Sequence, residues 1–461
     1  MINLVENIAD WVAELKYEHL PPEITEKAKR ILLDTLGCAL GAVHAEPVRM
    51  ARQVVSMQGG NAQATAVGVG LKTSCDQAAF LNGMALRYLD FNDYAASGSP
   101  HHPSINVAPA LSVSETQGLT GKDLLLGVTI GYEVQLRLRD ATAGGSKEGW
   151  DHSTAAHYSS AAIAGKLLGL DAPRIAQALA IAGSHASTLS EVRHGALSMW
   201  KGAAEPMGAR NGTFAALLAR SGLTGPLTIL EGKYGYGKVV AGALKEEILR
   251  ERSGEFQILK SCIKVWPCVV TAQAPIAAAL EVRRRNVVPE EIESITVALS
   301  DFGYKQQQRF AKEDISTRES ADHSVAYTVA RAFLDGEVRL DHFEERCFKD
   351  PRALELVKKV TFRSDPFLTS LYPESLGANL EVRLRNGNVL KAEVPYPPGH
   401  RQNPADDESI MKKFLALSEN ILGKERARRA TEVIFSVEAI SDLGNLLETL
   451  STVSNREAVR G

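Results

Sequence analysis

Two aspartates, an asparagine and two adjacent histidines fall within RYLDFNDYAASGSPHHPS, residues 87–104. Carboxylates and imidazoles set this close together suit proton transfer, because modest changes of environment bring both types to a useful pKa. Asp90 and Asp93 are three apart, so on a helix both would point to one side, as a working pair or as a solvated or capping one. His101 and His102 stand between Pro100 and Pro103, and a proline-pinned loop would hold an imidazole as acid or base. GWDHSTAAHYSS (149–160) adds His152 and His157 around a helix start, which Asp151 or Ser153 would cap. The positive end of that helix disfavours an imidazolium and keeps a neutral base available. Lys201 in SMWKG and Lys264 in KVWP lie beside aromatic and apolar neighbours. An ammonium buried without an anion is costly, so this pair suits a substrate with two or more carboxylates. In RESADHS, Asp322 would cap the next helix and His323 could face a cleft.

The elements that must position these groups are mostly helices. Residues 1–45 have helical spacing, and PPEITEKAKRILLDTLGCALGA carries proline and acids early and small residues late. QGGNAQATAVGVGLKTS holds a short alternating piece that suits a hairpin. DQAAFLNGMALRYLDFND resumes the helical period and would carry Asp90 and Asp93 at its end. The helices that follow, to about residue 220, are rich in Ala, Gly and Ser on the apolar face, which lets helices approach closely. Later, EIESITVALS, VKKVTFRS and ANLEVRLRNGNVLKAEVPYP alternate with period two, and the last has Asn-Gly between its strands. Helical spacing returns after PPGHRQNP. The expected fold class is therefore mostly α: a multi-helix bundle formed by N- and C-terminal segments (1–263 and 400–461), with a smaller α/β domain inserted at 264–399.

Bulk composition narrows the function. The chain is 44% hydrophobic and 23% charged, with a net charge of -3. Interspersed signs without a basic face argue against a nucleic-acid partner. No apolar run reaches the roughly 18 residues of a membrane span, and the N-terminus has no basic and apolar leader, so a cytoplasmic protein without a membrane partner is expected. The five cysteines are scattered with no C-x-x-C pair, which gives no zinc or iron–sulfur signature. Nucleotide loops, a nucleophile elbow, H-E-x-x-H and an EF-hand loop are likewise missing. What remains is proton chemistry next to carboxylates.

RYLDFND with HPS (102–104), GWDH, SMWKG…ARNGTFAALLA…GLTGP (198–226), KVWP, RESADHS and GH…NP (399–404) together resemble the MmgE/PrpD family, which contains 2-methylcitrate dehydratases, cis-aconitate decarboxylases and iminodisuccinate epimerases. The resemblance covers essentially the whole chain, and the SMWKG and RESADHS forms look most like the dehydratase branch. It implies a helical domain with an α/β lid, a homodimer, a site in the cleft between domains, and catalysis of a small carboxylate's reaction with no metal or other cofactor. Asp90 matches the first aspartate of the family's D-F-[DN]-D motif, His102 the histidine of H-P-S, and His152 the histidine after a glycine-aromatic pair. Lys201 and Lys264 match the lysines of the carboxylate pocket. Asp93, which closes the aspartate motif, and Tyr304, which matches a tyrosine near the cleft, are expected to bind substrate. The base would be His152 or Asp90, with His102 or the other member as acid. Two departures stand out. Cys268–Gln273 replaces a glutamate, an aromatic and His-Ala-Gln, and YAASGSPH lacks the threonine that usually follows the aspartate. Both fall where substrate selection would be set.

Overall fold

In the computed structural model the described residues are 2–452, apart from 98, 143–146, 148, 196, 253 and 310–314. The fold is mostly α, with small sheets. Helix Pro22–Gly41 starts with proline at its first position, where the missing N–H is not needed. It buries Ile24, Ile31, Leu32 and Leu36 and packs on helix Asp407–Leu422 from the far end of the sequence. Helices Ala155–Leu167 and Ala204–Arg220 approach so closely that a Cβ at Gly212 would overlap the His157 carbonyl. This is the small-residue packing that the Ala/Gly/Ser faces imply.

One apolar cluster runs from Leu4 to Ile263 and resumes from Ile410 to Leu450. A second runs from Cys268 to Ala392. The second is built on a four-stranded sheet. Strand Ile292–Leu299 pairs parallel with Val360–Ser364 and antiparallel with Ala378–Leu384, and the latter pairs with Val389–Val394 across the Asn386-Gly387 turn. Gly387 takes φ 88°, as such a turn requires. Helix Val270–Arg283 covers one face of this sheet. The two chain crossings between the clusters lie side by side. Ile263 N donates to Gly399 O at 2.9 Å, and Gly399, at φ 84°, leaves no room for a Cβ beside the Ile263 carbonyl.

Two local features differ from the sequence reading. Helix Cys75–Tyr88 stops short of the aspartates. Leu89 is its last turn, and Asp90 takes φ 49°, a left-handed conformation that Asp tolerates better than most side chains. The stretch read as a loop after Asp93 instead forms strands Tyr94–Ser97 and Ser99–His101. Tyr94–Ser97 also pairs with Ser261–Cys262, placing Tyr94 opposite Cys262 and Ala95 opposite Ser261. This small sheet brings the segment before Lys264 against the segment between Asp93 and His102. Among the described residues no single helix is long and apolar enough to cross a membrane.

Candidate active site

Asp90 is the centre of the cluster. It is 1% exposed, and its left-handed backbone turns both its carbonyl and its carboxylate toward incoming cations. Lys264 donates to its carbonyl at 2.9 Å and to Oδ1 at 2.8 Å. Arg87 reaches the same Oδ1 at 2.7 Å, and Lys201 reaches Oδ2 at 3.2 Å. Burial alone would raise the Asp90 pKa, but Lys201, Lys264 and Arg87 together hold it well below the usual carboxylate range. Lys264 is 0% exposed, and burial draws its pKa down despite Asp90.

His102 lies with Nε2 3.7 Å from Asp90 Oδ1. Its Nδ1 is 2.8 Å from Asp93 O. A carbonyl only accepts, so Nδ1 carries the hydrogen and Nε2 presents its lone pair. Burial lowers the His102 pKa well below the ordinary histidine value, and the Arg87 and Lys264 charges lower it further. The result is a neutral, oriented imidazole with its basic nitrogen toward the centre. The His102 and His152 ring centroids are 6.1 Å apart.

His152 belongs to a second, connected layer. Its Nε2 is 3.3 Å from Glu205 Oε1 and its Nδ1 3.6 Å from Asp151 Oδ2. Arg193 reaches Asp151 Oδ2 at 2.6 Å and His152 Nε2 at 3.1 Å. Asp151 caps the short helix His152–Thr154 by accepting from Ser153 N, one of the two capping choices that the sequence leaves open. Burial lowers the His152 pKa against the opposing pull of Asp151. Glu205 closes the loop by accepting from Arg87 Nε at 2.6 Å. Burial opposes its ionisation, but Arg87 prevails and its pKa falls to about 2.

The structure therefore gathers Asp90, His102, Lys201 and Lys264, with His152 one layer out through Glu205 and Arg87. Asp93 and Tyr304 are placed otherwise. Asp93 Oδ1 accepts from Ser104 N at 3.0 Å, and Oδ2 accepts from Tyr132 and Ser261 hydroxyls at 2.6 Å each. Its carboxylate oxygens are thus engaged inside the protein, and its backbone carbonyl accepts from His102 Nδ1. The reason is the early helix end at Tyr88, which sends the two aspartates to different sides. Tyr304, on helix Asp301–Arg309, packs against the apolar cluster of the sheet region and bonds to none of the central groups.

His323, which the sequence reading allows to face a cleft, lies at the centre. Its Nε2 is 3.6 Å from Asp90 Oδ2, and its Nδ1 meets Asp322 Oδ1 at short range. Ser324, not Asp322, caps the following helix. Arg87 and Glu205 were not read from sequence. Both sit inside helical runs where an ion pair leaves no local pattern. Arg318 spans the two parts, with its guanidinium carbon 5.4 Å from the Tyr88 ring centroid and 5.7 Å from that of Phe343.

The altered segment 268–273 braces the lysine loop. Gln273 Oε1 accepts from Val265 N and Trp266 N at 3.1 and 3.2 Å, and its Nε2 donates to Trp266 O at 2.9 Å. Ligand atoms of Asp90, Asp322 and His323 lie within 4.8 Å of one another, a spacing a cation could use. Around Asp90, however, two ammonium groups and a guanidinium already supply positive charge to those oxygens.

Comparison with known proteins covers almost the whole chain. The model of the MmgE/PrpD N-terminal domain matches residues 6–248, and that of the MmgE/PrpD C-terminal domain matches 266–438. A cis-aconitate decarboxylase-like protein of Aspergillus oryzae is 27% identical over 97% of this chain and 97% of its own length. The cis-aconitate decarboxylase of Mus musculus is 27% identical over 97% of this chain and 93% of its own length. The 2-methylcitrate dehydratase of Cupriavidus necator is 27% identical over 88% of each chain.

Proposed function

The chain belongs to the MmgE/PrpD family and is a lyase, and we propose that it removes water from a small hydroxy-di- or tricarboxylate of the 2-methylcitrate type. The observation that carries this reading is the convergence of Lys201, Lys264 and Arg87 on one buried carboxylate beside a neutral, oriented His102. Carbon acids next to a carboxylate ionise only if the negative charge moving onto that carboxylate is met by fixed cations. In this reading Lys201 and Lys264 turn from Asp90 to the substrate carboxylates. His102 Nε2 takes the proton from the α-carbon. The C–H electron pair becomes the new double bond, the neighbouring C–O bond breaks, and the departing oxygen takes up the proton that His102 has just removed, leaving as water. Asp90, held ionised by Arg87, is a poor base, and His152 lies one layer out behind Glu205, which favours His102 for that step over the Asp90 or His152 assignment.

A second reading is supported by the cis-aconitate decarboxylase relatives, which match this chain over 97% of its length against 88% for the Cupriavidus necator dehydratase. There the C–C bond to a carboxylate breaks, CO2 leaves, and the electron pair left on carbon takes a proton that His102 relays from solvent. An epimerase would move one proton between faces of a dicarboxylate. The division into a helical domain and a lid at 264–399, a homodimer and a cytoplasmic location belong to the same proposal, with entry by parting of the lid near Ile263 and Gly399. Product analysis by NMR in D2O with 2-methylcitrate, citrate, cis-aconitate and iminodisuccinate tests it. Water loss from a hydroxy acid, abolished in His102→Ala, is the expected result. CO2 release from cis-aconitate would move the assignment to the second reading. Inertness toward all four acids would overturn both.

A further inference from the structure

Lys413 is not among the groups that surround Asp90, yet it touches the main chain of both segments that form the centre. It lies on helix Asp407–Leu422, from the C-terminal segment. Its ammonium donates to Phe91 O at 2.6 Å and to Lys264 O at 3.0 Å. It pairs with Asp34 Oδ1 at 2.6 Å, and it stands 3.8 Å from the centroid of the Phe91 ring. An ammonium has three donor directions; two here go to carbonyls, one beside Asp90 and one of Lys264, and the Asp34 carboxylate lies against its charge.

Burial gives these contacts weight. The Lys413 side chain is 9% exposed and that of Asp34 0%. A buried ion pair brings little net stability, because desolvation offsets the attraction. If stability were the benefit, an apolar pair of similar size would serve as well. What an apolar pair could not do is hold two carbonyls from chain segments more than 170 residues apart at a fixed spacing. Helix Pro22–Gly41 adds a parallel tie. Lys27, seven residues before Asp34 and so on the same side, donates to Ser261 O at 2.7 Å, and the Ser261 hydroxyl binds Asp93.

We propose that Lys413, aimed by Asp34, is a positioning residue that sets the distance between Lys264 and Asp90. The inference rests on the reading of Asp90 and Lys264 as working groups. A shift of about 1 Å between such groups can lower turnover by about 10²-fold.

Three variants, Lys413→Met, Lys413→Arg and Asp34→Asn, test this with kinetics on the acid that the wild type turns over and with amide hydrogen exchange. In Lys413→Met, kcat falls about 10²-fold and KM rises, while the Lys413→Arg variant recovers part of both. Peptides covering residues 89–94 and 262–267 exchange faster, and those of the sheet at 378–394 are unchanged. Asp34→Asn moves the same peptides and parameters in the same direction by less, and decides the matter should Lys413→Met not fold. Wild-type kinetics and exchange in Lys413→Met, or unchanged exchange at both segments in Asp34→Asn, would overturn the proposal. If the wild type is inert on every acid, the functional reading fails by itself, and the exchange comparison still decides whether Lys413 holds the two segments.

Discussion

Asp90 and Asp93 are three residues apart and both fully buried, yet their surroundings are opposite. Asp90 faces Lys201, Lys264 and Arg87. Asp93 faces two hydroxyls and a backbone amide. Cations around a buried carboxylate create a field that an incoming carboxylate can share, whereas hydroxyls and an amide only satisfy the oxygens they touch. In the proposed function the first arrangement is the binding and reaction centre. The second is a bracket, and what it brackets is His102, through the Asp93 carbonyl. Position along the chain does not separate these roles; the number and sign of the partners does.

The largest effect that this comparison predicts is in Asp90→Asn. Removing the charge leaves buried cations without their anion, a loss of about 3–5 kcal/mol for a broken buried pair. Denaturant unfolding should show a fall in that range, with turnover abolished. Stability within 1 kcal/mol of wild type, on the scale of an exposed pair, would mean that Glu205 and Asp322 carry the compensation instead. His102→Gln comes next. It keeps a polar side chain of similar length but has no basic nitrogen, so kcat should fall by about 10²–10⁴ with little change in KM. Asp93→Asn should do less. Oδ1 still accepts from Ser104, and the Tyr132 and Ser261 hydroxyls can turn to accept from the new amide. A loss of about 1 kcal/mol and a modest fall in kcat are expected. An effect as large as that of Asp90→Asn would erase the distinction between centre and bracket.

The imidazoles add a pH dependence. Burial lowers the pKa values of His102, His152 and His323 in the folded protein. The unfolded chain therefore binds protons that the native state refuses. The stability from these groups is fully present above the unfolded histidine value of about 6.5 and is lost as pH falls from there toward the lowered folded values. Melting temperatures between pH 5 and 8 should rise with pH, and more gently in His102→Gln. Turnover that depends on neutral His102 should persist below pH 6.5, since its native pKa lies well under that. An acid limb centred on the ordinary histidine value would contradict the buried, neutral imidazole.

Some of this was legible in the sequence and some was not, for physical reasons. The bundle and the sheet show in hydrophobic period, because burial of one face repeats along each element. Lys201 and Lys264 stand out because an ammonium in an apolar run needs an anion. Arg87 and Glu205, 118 apart in sequence, leave no such mark. Helical continuity through RYLDFND concealed the turn at Asp90, whose φ of 49° is set by tertiary contacts to Lys264 rather than by a glycine. The three short strands that align Asp93, His102 and Ser261 are two to four residues each, too short for a period-two pattern to register.

The smallest expected effect is at Tyr304. Family resemblance places it with the substrate-binding groups, but in this fold it lies on helix Asp301–Arg309 against the apolar cluster of the sheet region. A tyrosine that serves through packing contributes its ring, and Tyr304→Phe keeps the ring. The substitution should leave kcat/KM within about twofold, well under the 1.4 kcal/mol of a tenfold change. If the hydroxyl did reach substrate, the buried group on the ligand would lose its partner, and the cost would be about 1–3 kcal/mol. The kinetic comparison therefore separates the two roles cleanly. A tenfold loss in Tyr304→Phe would show that this helix moves toward Asp90 when substrate is bound. The cation-ringed centre would then gain a hydroxyl of its own, as Asp93 already has in Tyr132 and Ser261.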